Sequence, residues 1–418
     1  MGAGVLGVDP AILTGIAQKV GTPVYVYNTN AIRAQYHALT DALTDVPHRV
    51  CYSVKANGNL GVLRVLKQLG AGADIVSAGE LHRARAAGFD PAVMVFSGVG
   101  KTGAELEEAI RAGVGFLNVE SVSELDALMA AAKRAGRPAG VGIRVNPDVS
   151  ADTPHPYTKT GDKTAKFGVP FDEVVNVARR IAAEPGLNLR SLAMHIGSQI
   201  TDVEPYRRGT LKLLELVTAI RASGVNSLKF LDVGGGLGVR YHQEKLPSLK
   251  AFAEGVAPPV RAEGLTLLLE PGRFLVANAG LLLTRVLYRK HAGGRDYVIV
   301  DAGMNDFVRP SHYNAHHEIV PLKDGNRKPH VQNVVGPICE TGDFLALDRK
   351  LPAVEPGEYL AVLGTGAYGF VMSSTYNARP RPPEVIVESD KFYVARRRET
   401  VDDLLRGETA EPHEWLKA

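Results

Sequence analysis

Cysteine is scarce: Cys51 and Cys339 are the only two in 418 residues. Two thiols cannot build a disulfide framework, so the expected compartment is a reducing one, the cytoplasm. Long apolar runs are missing as well. None approaches the roughly 20 residues that a membrane helix needs, so no membrane association is expected. Residues Met1 to Val20 lack the basic start and apolar block of a secretory signal. Charge of one sign is not in excess either. A formal net charge of +3 is too small to favour nucleic acid as a partner. Internal repeats are absent, and the one biased patch, Arg379–Pro383, reads as a rigid loop. What is present is ordinary for a globular chain: 45% apolar and 22% charged residues. The length suits two domains, or one large barrel plus an addition.

Between about residues 48 and 270, short apolar runs alternate with helical patterns. The runs are Arg49–Val54, Ala73–Val76, Ala92–Phe96, Gly115–Val119, Gly140–Val145, Ser191–His195, Lys229–Val233 and Thr266–Glu270. Leu60–Leu69, Ala104–Ala112, Ser121–Gly136, Phe171–Ala183 and Tyr206–Ser223 place apolar residues at helical spacing. Gly70, Gly88, Gly113 and Gly136 stand where helix stops are expected. Buried strands separated by helices imply parallel β-α units. Eight of them predict a (β/α)8 TIM-like barrel, with an open doubly wound sheet as the alternative.

After about residue 280 the pattern becomes strand-rich with little helix: Leu281–Tyr288, Tyr297–Asp301, Val331–Val335, Glu358–Leu363, Glu384–Val387 and Phe392–Ala395. The expectation is a second, mainly antiparallel β domain, which Pro23–Tyr27 also joins. The expected division is 30–278 for the barrel and 1–29 with 279–418 for the β domain.

A barrel enzyme carries its site at the C-terminal ends of its strands. Read in order, those ends hold Lys55, Asp74 with Ser77, Arg144 with Asn146, His195 followed by Ser198 and Gln199, Gly234-Gly235-Gly236, and Glu270-Pro-Gly272-Arg273. Any one of these has an ordinary explanation: a solvated lysine, a tight turn, a structural histidine, a Glu270–Arg273 ion pair. Lys55 differs in being flanked by Val54 and Ala56, and a desolvated lysine is expected to lose its proton more easily. Together, a lysine for an imine, glycines for a phosphate, a flat histidine and a carboxylate are what pyridoxal phosphate requires. Metal binding is not expected, because the adjacent His316 and His317 cannot share one face and no cysteine pair supports them.

These residues resemble the fold type III pyridoxal-phosphate decarboxylases, and within them the diaminopimelate decarboxylases. The similar segments are Tyr52-Ser-Val-Lys55-Ala-Asn57, Asp74-Ile-Val-Ser77-Ala-Gly-Glu80, His195-Ile-Gly-Ser198-Gln199, Gly234-Gly-Gly236-Leu-Gly238, Glu270-Pro-Gly-Arg273, Asn305-Asp-Phe-Val-Arg309-Pro, Gly336-Pro-Ile-Cys339-Glu340, Gly366-Ala-Tyr368, Tyr376-Asn-Ala-Arg379-Pro380 and Arg396-Arg-Arg-Glu-Thr400. They run in order through nearly the whole chain.

The resemblance implies that Lys55 bonds the cofactor, His195 stacks on its ring and Glu270 meets the pyridine nitrogen. It places Asp74 and Arg144 nearby, and Ser198, Gly235, Gly236, Gly272 and Arg273 at the phosphate or the bound substrate. Arg309, Tyr313 and Glu340 match substrate-binding positions, and Tyr368 one that touches cofactor and substrate. Cys339 matches a cysteine delivered by a partner subunit, which implies a homodimer with shared sites. The implied activity is decarboxylation of meso-2,6-diaminopimelate to L-lysine and CO2, the last step of lysine biosynthesis, with Cys339 or Lys55 returning the proton. The runner-up activities are decarboxylation of ornithine, arginine or carboxynorspermidine; a racemase and a non-catalytic cofactor-binding homologue rank lower. One departure is His312, in Ser311-His312-Tyr313, where the family often has an apolar residue.

Overall fold

The computed structural model describes residues 5–155, 160–161, 165–323 and 327–410. It divides into two compact units, one of which comprises Tyr27–Leu281 and Gly364–Val371. The first strand, β1 (Val24–Asn28), belongs to a sheet described below. The barrel strands follow: β2 (His48–Ser53), β3 (Gly72–Ile75), β4 (Met94–Phe96), β5 (Phe116–Val119), β6 (Ala139–Asn146), the two-residue β7 (Val169–Pro170), β8 (Leu187–Ala193), β9 (Phe230–Asp232) and β10 (Thr266–Leu269).

β7 only flanks β6; the other eight strands close a parallel ring, β2-β3-β4-β5-β6-β8-β9-β10 and back to β2. Each expected apolar run supplies one of them, so the closed barrel and not the open sheet is formed. Cys51, Val95, Phe116, Phe230 and Leu268 form one buried cluster, with the Phe116 and Phe230 rings 5.6 Å apart. The guanidinium groups of Arg49 and Arg190 stack on Phe230 at 5.3 and 5.5 Å.

The helices begin and end where the chemistry of capping predicts. Thr102 and Glu105 form a capping box at the start of Gly103–Ala112, and Gly113 stops it in the left-handed region at φ 81°. Ser121 caps Val122–Ala135, which ends at Gly136. The sequence reading missed Leu249–Ala262, which carries Pro258 and Pro259 inside it; a proline pair reads as a helix stop.

In the other unit, β11 (Gly280–Ala292), β12 (Arg295–Val300), β13 (Ile319–Pro321), β14 (Pro329–Val335), β15 (Phe344–Pro352), β16 (Tyr359–Leu363), β17 (Glu384–Glu388) and β18 (Lys391–Arg396) join β1. The main path is β15-β14-β12-β11-β1-β17-β18, with β16 bridging β11 and β13. Pairing is antiparallel at β11–β12, β13–β16, β14–β15 and β17–β18, and parallel at β12–β14. β15 escaped the sequence reading because its apolar start gives way to Asp348-Arg-Lys. Asp348 bulges there at φ 47°, and its N–H is taken by Asn333 Oδ1 at 2.7 Å.

Candidate active site

Strand β2 ends at Ser53 and passes into one 3-10 turn, Val54–Ala56, which carries Lys55. The turn is anchored on both sides. Tyr52 Oη donates to Asn57 O at 3.0 Å, Asn57 Nδ2 donates to Gly366 O at 2.9 Å, and the Tyr368 N–H donates to Ala56 O at 2.8 Å. In the β2–β3 register Ser53 stands beside Asp74. Asp74 is fully buried, and its Oδ2 lies 2.7 Å from Ser53 Oγ and 2.9 Å from Lys55 Nζ.

This geometry corrects the expectation of a readily deprotonated lysine. The low-dielectric surroundings do penalise the ammonium, but the negative charges of Asp74 and then Glu270 outweigh that penalty. The Lys55 pKa is therefore raised. Apolar neighbours in sequence did not reveal which charges the fold would bring opposite.

Glu270 follows β10, and Asp232 ends β9 opposite Leu268, two residues before Glu270. Both acids are buried and share a side-chain hydrogen bond; Glu270 Oε1 and Asp232 Oδ2 meet no other donor among the described residues. Burial, then the charges of Asp232 and Asp74, raise the Glu270 pKa well above the carboxylate range. Burial also pushes Asp232 up to about 6, against the pull of its hydrogen bond with Glu270 and of the Gly234 N–H that its Oδ1 accepts at 2.8 Å.

The glycine triplet is required sterically. A Cβ on Gly235 would lie 2.2 Å from Glu270 O, one on Gly234 2.3 Å from Met194 O, and one on Gly236 2.3 Å from Gly197 O. Gly234 and Gly236 also have φ of 74° and 95°. The backbone can thus pass close to His195, and Gly235 N–H donates to His195 Nδ1 at 3.2 Å. That bond needs a lone pair on Nδ1, so the proton of the neutral ring sits on Nε2. Burial, Lys55 and Arg144 all hold the His195 pKa well below the usual histidine value.

Arg273 opens the short helix after Gly272. Its Nη1 donates to Tyr241 Oη at 2.8 Å and its Nη2 to Ser198 Oγ at 3.0 Å, while its guanidinium lies 4.7 Å from the Tyr368 ring centroid. Tyr368 is held in the left-handed region at φ 55°, a conformation that a bulky residue adopts only when its surroundings impose it. Lys55, Asp74, Arg144, His195, Ser198, Gly235, Gly236, Glu270, Gly272 and Arg273 lie on or just beyond strands of the barrel unit, and Tyr368 lies in the Gly364–Val371 segment that belongs to the same unit.

The β unit holds the remaining expected residues. Arg309 is buried and opens the short helix Arg309–Tyr313. Its Nε donates to His317 Nε2 at 3.3 Å, and its guanidinium lies 5.7 Å from the Tyr313 ring centroid. His317 Nδ1 lies 2.8 Å from Leu363 O and must donate there, which leaves Nε2 as the acceptor. The His312 departure is accommodated by an edge-on ring contact with Tyr313 at 4.4 Å. Cys339 is exposed, and its N–H donates to Asn377 Oδ1 at 2.7 Å. Glu340 is exposed beside it, and a hydrogen bond from Tyr376 to Glu340 raises the tyrosine pKa. Asp343 fixes this loop by accepting from Met304 N–H and Ile338 N–H, both at 2.6 Å, and Ser311 Oγ donates to Gly342 O at 2.7 Å.

The sequence reading gave no site role to Ser53, Asp232, Tyr241, His317, Asp343 or Tyr376, although Ser53 and Tyr376 lie in the similar segments and His317 was weighed only as a metal ligand. Only Asp232 gave a usable signal, as a carboxylate inside an otherwise apolar strand. The others take their roles from partners distant in sequence.

Residues 29–277 match the family model for the pyridoxal-binding domain of pyridoxal-dependent decarboxylases. The chain belongs to this family. It is similar to a diaminopimelate decarboxylase of Pseudomonas aeruginosa, 50% identical over 400 residues and 96% of each chain. A second relative of the same description, from Aquifex aeolicus, is 46% identical over 96% of this chain and 94% of its own. Among solved structures, the diaminopimelate decarboxylase of Helicobacter pylori in complex with L-lysine superposes with a TM-score of 0.91 at 41% identity, covering 94% of this chain and 98% of that one.

Proposed function

We propose that this chain decarboxylates meso-2,6-diaminopimelate to L-lysine and CO2, the closing step of lysine biosynthesis, with pyridoxal 5'-phosphate as cofactor. The observation that carries the reading is the convergence of Lys55, His195 and the buried Glu270 on one barrel rim, in a chain whose full-length relatives carry that activity.

The residues present fit the cofactor. Glu270 Oε1 is a buried acceptor suited to a protonated ring nitrogen, and the second carboxyl, Asp232, adds negative potential beside it. Lys55 Nζ is within reach of the same carboxylate cluster, and the glycine triplet lets backbone approach a phosphate. When bound, the cofactor supplies an electron sink for the pair left behind by CO2.

The protein's own part is positional and electrostatic. Lys55 would hold the cofactor through its amine, which Asp74 orients with Ser53 behind it. His195, neutral and fixed by Gly235, would offer the ring a flat face. Ser198, Arg273 and the glycines hold the phosphate end or the substrate, with Tyr368 stacked against Arg273. Arg144 keeps the histidine environment positive. In the β unit, Arg309 clamps the distal carboxylate of the substrate, Tyr313 flanks it, and Glu340 takes the distal ammonium. Ornithine lacks that carboxylate and would leave the arginine without a ligand. Cys339 returns the proton to the carbon that lost CO2, with Lys55 as the competing source.

The same reading divides the chain into residues 30–278 for the cofactor and 1–29 with 279–418 for substrate and association. It makes the active form a cytoplasmic homodimer in which Cys339 serves the partner's site. Tyr288, Val331 and Tyr393 expose more than half of their surface on strands of the β unit, apolar area of the kind association surfaces use. The test is to incubate the cofactor-loaded protein separately with meso-diaminopimelate, ornithine, arginine and carboxynorspermidine, measuring CO2 and the amine product. Lysine from diaminopimelate alone is the expected result. Turnover of a polyamine precursor instead would overturn the roles of Arg309 and Glu340.

A further inference from the structure

Four charged side chains are buried together on the barrel rim. Lys101, Glu124, Glu120 and Arg144 have side-chain exposures of 0%, 7%, 1% and 10%. Their contacts form an unbroken chain. Lys101 Nζ donates to Gly98 O at 2.7 Å and Asn118 O at 2.8 Å, and meets Glu124 Oε1 at 2.6 Å. Glu124 Oε2 accepts the backbone N–H of Glu120 at 2.8 Å. Glu120 Oε1 accepts Gly98 N–H at 2.7 Å and meets Arg144 Nη1 at 3.1 Å. The guanidinium of Arg144 lies 4.6 Å from the Phe167 ring centroid.

Burying charge is unfavourable, and apolar residues of the same volume often stabilise a fold as well or better. Stability alone therefore does not explain two buried ion pairs here. What they do is fix one cation. Glu120 sits at the exit of β5, its carboxylate held by the Gly98 N–H and its own N–H by Glu124, which Lys101 pairs, so its carboxylate has little freedom. Arg144, on the neighbouring strand β6, is gripped between that carboxylate and Phe167.

We propose that Glu120 is a positioning residue for catalysis: it holds Arg144 at the exit of β6, where Arg144 pairs with Ala193 of β8 two residues before His195, and the Lys101–Glu124 pair holds Glu120. The inference rests on the role of His195 given above. The charged groups acting on His195 are Lys55 beyond β2 and Arg144 on β6, and the Gly235 N–H beyond β9 bonds its Nδ1. Of these, Lys55 and Arg144 oppose protonation of the ring, and Arg144 does so from a site that Glu120 sets.

Two conservative variants separate position from charge. Glu120→Asp keeps the charge and withdraws the carboxylate by one methylene. Glu120→Gln keeps the reach and removes the charge. The titration of His195 is read by 15N NMR of histidine-labelled full-length chain, with and without bound pyridoxal phosphate, so turnover is not needed for the readout. Glu120→Asp is expected to raise the His195 pKa by about 0.5–1 pH unit, whereas Glu120→Gln does not raise it. In an Arg144→Met background, Glu120→Asp adds nothing further. The acid limb of the kcat/KM profile should move with the Glu120→Asp shift.

An unchanged His195 titration in Glu120→Asp, or an upward shift in Glu120→Gln alone, overturns the proposal. So does an undiminished Glu120→Asp effect without Arg144. Failure to decarboxylate any amino acid would instead overturn the functional reading, and the NMR titration would still decide the positioning role.

Discussion

Replacing Lys101 with methionine tests how much of the barrel rim depends on its buried charges. Methionine fills a similar volume but abandons the contacts to Gly98 O, Asn118 O and Glu124 Oε1 at 2.7, 2.8 and 2.6 Å. Glu124 is then left as an uncompensated buried carboxylate. Breaking a buried pair from one side costs about 3–5 kcal/mol. At about 2 °C per kcal/mol for a unit this large, the melting temperature should fall by about 6–10 °C. The loss should also depend on pH in a defined direction. Burial already raises the Glu124 pKa while Lys101 opposes that rise. A carboxyl whose folded pKa lies above its unfolded value costs stability fully above the folded value and not at all below both. Removing Lys101 lifts the folded value further, so the deficit should be largest near neutrality and shrink as pH falls through that value. The assay is thermal and urea unfolding of wild type, Lys101→Met, Glu124→Leu and the double variant at neutral and mildly acidic pH. The double variant should recover most of the loss, because no unpaired charge remains. A deficit under about 1 kcal/mol, additive single effects, or a deficit that grows on acidification would refute the argument.

Other outcomes follow from the same contacts. Asp74→Asn removes the main charge holding the Lys55 proton, so covalent capture of pyridoxal phosphate by Lys55 should shift to lower pH by about 1 unit or more. Stopped-flow absorbance across pH measures this, and an unchanged midpoint would contradict the assignment. Gly235→Ala sets a methyl against Glu270 O and should cost about 1–3 kcal/mol of stability and weaken cofactor binding, read by melting and by absorbance titration; wild-type values for both would show that the strand ends can spread. Arg309→Ala should raise KM for diaminopimelate about 10–100-fold, the loss of a charge-assisted contact, with kcat changed less; unchanged kinetics would remove the arginine from substrate recognition. Cys339→Ala should depress kcat, and full turnover would leave Lys55 as the proton source.

Much of this was legible along the chain because it is written in local patterns. Alternating apolar runs and capped helices announce eight parallel units, since each strand must bury both faces and each helix one. Pro258 and Pro259 hid one helix, and the charged half of β15 hid one strand, because local composition there opposes what tertiary packing imposes. The rim residues could be located in sequence for the same reason that the barrel could: a strand end is a position in a pattern.

The ionisation states were not. Lys55 sits between two apolar residues, and that context suggests a readily deprotonated amine, yet Asp74 and Glu270 arrive opposite it from other strands and reverse the direction. The proton of His195 is placed by the N–H of Gly235, forty residues away. Arg144 is held by Glu120, and Arg309 by His317. The sequence determined which groups are present and which strand ends carry them, because burial periodicity is local. The tertiary structure alone decided which charge faces which, because a pKa depends on distances and dielectric surroundings that exist only once the barrel has closed.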